Sequence, residues 1–143
     1  MNTAKELFLS LREKARKAEL AKQQLEELKT MAAKCTPVMH LAPSGGGESR
    51  TMEDNVLRIE AAEKELQAII ADYVATKLQV MELIRCLDAE EQQVLQLFYV
   101  DRLIWMQISQ KMNYSESSLR NIRKTALAHA DEILKRKQEI ADV

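Results

Sequence analysis

Apolar residues recur by threes and fours along most of this chain. Between Thr3 and about Lys34 the sequence ELFLSLREKARKAELAKQQLEELKTMAAK holds neither Pro nor Gly, and Ala4, Leu7, Leu11, Ala18, Ala21, Leu25, Leu28 and Ala32 make a stripe with one gap at Lys14. That spacing puts the stripe on one face of a helix, and strong helix formers fill the remaining positions. The pattern predicts one long helix with a narrow, Ala-rich seam that lets a partner approach closely. A second stripe, Met52, Val56, Ile59, Leu66, Ile70, Tyr73, Val80, Ile84 and Leu87, predicts a helix of matching length from Met52 to about Leu87, interrupted at Glu63 and Lys77. Both prolines and all three glycines fall between the two, which predicts a flexible Pro/Gly loop at 35–51. The fold class is therefore all-α: a long, coiled-coil-like antiparallel helical hairpin over 1–87, followed by a separate domain at 88–143. The same stripes fit burial within one chain or between two, so a homodimer through the N-terminal helices stays open.

Composition narrows the chemistry. The net charge is -1, so any surface for a polyanion must be local. Gly45, Gly46 and Gly47 lack the following Lys-Ser/Thr of a phosphate-binding loop, and no strand precedes them. Cys35 and Cys86 form no CxxC pair, and Cys35 with His40 makes too few ligands for a metal site. The paired carboxylates Glu26/Glu27 and Glu90/Glu91 are helix neighbours that face different directions, and no Ser/His/Asp arrangement is present. These observations predict a protein that is not an enzyme and carries neither cofactor nor metal. No signal-peptide-like start and no apolar run near the ~18 residues of a membrane span are found. The expectation is a cytoplasmic protein with reduced thiols and no membrane partner.

The C-terminal segment is more informative. DAEE at Asp88 offers an N-cap aspartate with Glu91 three residues on, and Val94, Leu95, Leu97 and Phe98 supply the inward face of a short helix ending near Tyr99. After a turn at YVDRL comes WMQISQKMNYSESSLRNIRKTAL, Trp105 to Leu127. A helix-turn-helix needs a small residue where its helices cross, a turn residue tolerant of positive φ, and apolar residues that lock both helices. Ser109 is the small residue and Asn113 the turn residue. Ile108, Met112, Tyr114, Leu119 and Ile122 occupy the locking positions, and Ser115 can cap the second helix. With Leu119, Ile122 and Ala126 inward, the 100° step turns Ser117, Arg120, Asn121 and Lys124 outward, with Glu116 and Arg123 on the flanks.

Those side chains suit DNA. Arg120 can pair with guanine and Asn121 with adenine, while Arg123, Lys124 and the hydroxyls of Ser117 and Ser118 can reach phosphates or base edges. Trp105 and Tyr114 are expected to pack rather than to stack on bases. Between Glu116 and Ala128 the charge is only about +2, against the roughly six to ten phosphate contacts of tight binding. Dimerisation or a partner protein is expected to help. Lys135, Arg136 and Lys137 either add phosphate contacts or simply complement the helix dipole.

The segment LDAEEQQVLQLFYVDRLIWMQISQKMNYSESSLRNIRKTALAHADEIL resembles region 4 of the sigma-70 family, the part that reads the promoter −35 element. WMQISQKMNYS resembles its turn and SESSLRNIRKTAL its recognition helix. Taken whole, the chain resembles small phage or prophage proteins related to the ArpU and RinA late-gene regulators. The resemblance implies a transcriptional regulator encoded by a phage or prophage, with double-stranded DNA as partner, RNA polymerase as a second one, and base contacts at Glu116, Ser117, Arg120 and Asn121. The competing reading is a protein-interaction adaptor whose helical hairpin binds a phage or host protein, such as RNA polymerase, without reading DNA.

Overall fold

A computed structural model describes residues 3–41 and 45–141, with side chains for 3–34 and 52–141. Every regular element among the described residues is helical. Helix α1 spans Ala4–Leu41 and α2 Gly45–Arg85. Helix α3, Ala89–Leu95, runs into a π-type turn at Gln96–Val100, followed by α4 at Trp105–Met112 and α5 at Glu116–Ala141.

The break expected at 35–51 is narrower than its composition implies. Helix α1 continues past Pro37 to Leu41, and α2 already begins at Gly45; residues 42–44, the centre of the expected loop, lie outside the described residues, as do the side chains of Cys35 and His40. One proline removes one bond of the helical ladder rather than all of them. Three glycines in α2's first turn weaken positions whose N–H groups have no partner within the helix in any case.

The chain forms two compact units, and their limits do not follow the expected division after Leu87. One unit combines 3–14 with 73–141; the other is 15–72. In the first, Phe8 and Leu11 of α1 and Val80, Leu83 and Ile84 of α2 share a core with Leu95, Tyr99, Ala126 and Ala130. The C-terminal helices thus bury their apolar faces against both long helices. Phe8, absent from the expected stripe, is fully buried. Polar groups reinforce the join: Asp131 Oδ1 of α5 accepts from the Ala4 N–H at 2.7 Å, capping α1 from a distant helix, and Lys14 Nζ donates to Thr76 Oγ1 at 2.8 Å.

A second, smaller cluster holds the C-terminal helices to one another. Val94 and Leu97 pack with Ile108 and Leu119, and Leu103, Trp105, Met112 and Ile122 lie partly buried against them. The link between the π-type turn and α4 needs a residue with positive φ, Arg102 at 57°, and the Leu103 N–H then turns back to the Leu97 carbonyl at 3.0 Å.

In the 15–72 unit the two long helices lie side by side. Leu25 is buried, Leu20, Ala21 and Leu28 share a groove with Ala62 and Ile69, and Lys29 Nζ stands 3.7 Å from Glu63 Oε1. Met52, Val56 and Ile70, expected to be covered, are instead exposed. Periodicity identifies a face, but among the described residues nothing covers this face at those positions.

Candidate nucleic-acid interface

Helices α4 and α5 meet at Asn113–Ser115, and local side chains set the angle. Asn113 closes α4 at φ 59°, ψ 35°, donating its N–H to the Ser109 carbonyl at 2.9 Å. Ser109 Oγ donates in turn to the Tyr114 carbonyl at 2.6 Å, so the small residue at the crossing also ties the turn. Ser115 Oγ accepts from the Ser118 N–H at 3.1 Å and caps α5. A β-branched side chain at Asn113 would clash with the following carbonyl in this left-handed conformation. Asn113→Val is therefore expected to cost about 1–2 kcal/mol, while Asn113→Gly stays near wild type; urea midpoints of the two variants check this.

One expected role changes at this corner. Tyr114 does not lock it: the residue is 42% exposed, and its carbonyl rather than its ring secures the turn. The Glu90 carboxylate beside its hydroxyl raises the Tyr114 pKa above the ordinary value. The Ser118 hydroxyl accepts from Ser115 Oγ at 2.9 Å, so it takes part in the cap while the residue stays exposed.

Helix α5 is anchored by Leu119, Ala126 and Ala130, all fully buried, and Glu116, Ser117, Arg120, Asn121 and Lys124 are exposed as the helical period predicts. Arg123 departs from that strip. Its guanidinium carbon lies 5.2 Å from the Phe98 ring centroid and 5.3 Å from that of Trp105, and its Nε is buried without a hydrogen-bond partner. The register explains this: four residues after Leu119 and three before Ala126, Arg123 falls on the anchored side.

The two flanks of the strip differ in charge. On one, Arg120 stands 5.8 Å from the Trp105 centroid, and Phe98 stacks on Trp105 at 4.4 Å and 15°. Arg12 of α1 joins this side, 4.9 Å from Phe98 and 5.9 Å from Tyr99. No local pattern announces that meeting, since Arg12 and Phe98 are far apart in the chain. Burial pushes the Tyr99 phenol above its ordinary pKa, partly offset by the charges of Arg123 and Arg12. On the other flank Asn121, Ile122, Thr125 and His129 share a shallow groove with Asp88, Glu90 and Glu91. Glu91 is buried there; Oε2 meets His129 Nδ1 at 2.7 Å, while Oε1 accepts from the Asp88 N–H at 3.4 Å. This flank therefore carries carboxylates and the other guanidiniums.

A family model described as "Protein of unknown function (DUF722)" matches residues 41–131, more than half of the chain. The chain belongs to the DUF722 family. No curated protein and no solved structure matches it. The DUF722 match takes in the whole α4–α5 corner, the exposed strip of α5 and the aromatic residues Phe98, Tyr99 and Trp105. Arg12 lies outside the DUF722 match. Among the described residues no helix is long and apolar enough to cross a membrane.

Proposed function

We propose that this protein is a phage-type transcriptional regulator, related to the ArpU and RinA regulators, that binds promoter DNA through a sigma region 4-like helix-turn-helix formed by α4 and α5. The observation that carries this reading is the corner itself. Asn113, Ser109 and Ser115 each serve the turn, and the helix they position leaves Ser117, Arg120, Asn121 and Lys124 exposed on one strip. In this reading α5 enters the major groove, where such donors read base edges. The long helices form the hairpin that supports assembly, as a homodimer or with RNA polymerase.

One observation favours the adaptor reading. Met52, Val56 and Leu57 of α2 are 47%, 53% and 62% exposed, an apolar surface suited to a protein partner. Measuring the affinity of the full chain for duplex fragments from its own gene neighbourhood, across a salt series, separates the two. The DNA reading expects one fragment to outcompete random duplex and affinity to fall steeply with salt. If no fragment binds in a salt-dependent way, the adaptor reading replaces it.

A further inference from the structure

A row of arginines runs along an aromatic ladder beside the exposed strip of α5. Trp105 stacks on Phe98, Phe98 meets Tyr99 edge-on at 4.8 Å, and Tyr99 lies 5.1 Å from Phe8. Arg120, Arg123 and Arg12 follow the same order: Arg120 at Trp105, Arg123 between Trp105 and Phe98, and Arg12 between Phe98 and Tyr99. Arg12 and Arg123 therefore share one ring. Each also has a buried Nε with no hydrogen-bond partner.

Among the described residues no carboxylate lies within ion-pair distance of Arg12 or Arg123. Aromatic faces attract a guanidinium without neutralising it. Two like charges around one ring repel each other. An anion that accepts from the terminal N–H groups of both guanidiniums relieves that repulsion, and the planar donor fork of Arg fits a phosphate group well.

We propose that Arg12 and Arg123 hold a phosphate of the DNA backbone beside the base-reading strip of α5. This rests on the DNA-binding reading and extends it: the first turns of α1 take part in DNA binding. Phosphate is favoured over the carboxylate of a protein partner because the site continues directly into Arg120 at the edge of the strip. The carboxylates Asp88, Glu90 and Glu91 meanwhile turn the backbone away from the opposite flank. The charge of about +2 counted along α5 thus understates the surface, since it omits a cation brought in by the fold.

Two measurements on the full chain test this. In the first, the slope of log affinity against log salt is compared for wild type, Arg12→Gln and Arg12→Lys on a bound duplex and on random duplex. Arg12→Gln is expected to weaken both alike and to lower the slope by about one, while Arg12→Lys, which keeps the charge, stays close to wild type. If wild type binds DNA and the Arg12→Gln slope is unchanged, the phosphate site is wrong and the DNA reading stands. In the second, inorganic phosphate is titrated against chloride of equal ionic strength while the fluorescence of Trp105, the sole tryptophan, is followed. A saturable change that Arg12→Gln abolishes supports the site, and an unchanged wild-type signal overturns it even if the Gln variant fails to fold.

Discussion

Truncating Phe8 to Ala in the full chain should lower its stability by about 3–5 kcal/mol, a large part of the ~5–15 kcal/mol that holds a typical domain together. The side chain is fully buried among residues of α1, α2, α3 and α5, and its ring lies 5.1 Å from that of Tyr99. Removing it deletes the apolar surface and leaves a cavity whose walls come from several helices, which limits collapse. The adjacent Leu9, 40% exposed, provides the control: Leu9→Ala should lie within about 0.5 kcal/mol of wild type. Urea unfolding followed by helical circular dichroism reads both variants. Should Phe8→Ala unfold at the wild-type midpoint, α1 is not part of this core, and the compact unit shrinks to the C-terminal helices.

This test separates what short-range pattern conveys from what it does not. Ala4, Leu7, Leu11 and Leu25 are buried, as are Val80, Ile84 and Leu87, because a three-four spacing determines which side of a helix is apolar. Met52, Val56 and Ile70 obey the same spacing and stay exposed, because the spacing does not supply a neighbour. The chemistry of the corner was legible for a related reason. Asn113, Ser115 and the Asp88/Glu91 pair act on backbone groups within a few residues, so local rules suffice. Arg102 follows no such rule: its positive φ is imposed by the turn back from Leu103 to Leu97. Arg123 could have been placed from its spacing to Leu119 and Ala126, whereas the approach of Arg12 to the same ring depends on the tertiary fold.

Replacing Arg120 by Ala should leave the melting curve unchanged yet weaken binding to a specific duplex by about 1–3 kcal/mol, roughly 5- to 150-fold. Its side chain is exposed and its guanidinium lies 5.8 Å from the Trp105 ring, so its loss opens no cavity and breaks no described hydrogen bond. The position matters more than the charge alone. Arg120 joins the arginine row to the base-reading strip, and a bidentate pair with guanine discriminates against other bases, so its removal should also relax preference at one base pair. Asn121→Ala should behave differently. Asn121 shares its groove with Asp88, Glu90 and Glu91, where phosphate is disfavoured, so its loss should reduce discrimination while leaving binding to random duplex and the salt slope unchanged. Competition titrations of both variants against specific and random duplex check the pair. An Asn121→Ala variant with a lowered salt slope would mean that the backbone runs along the acidic flank, contrary to the charge distribution around α5.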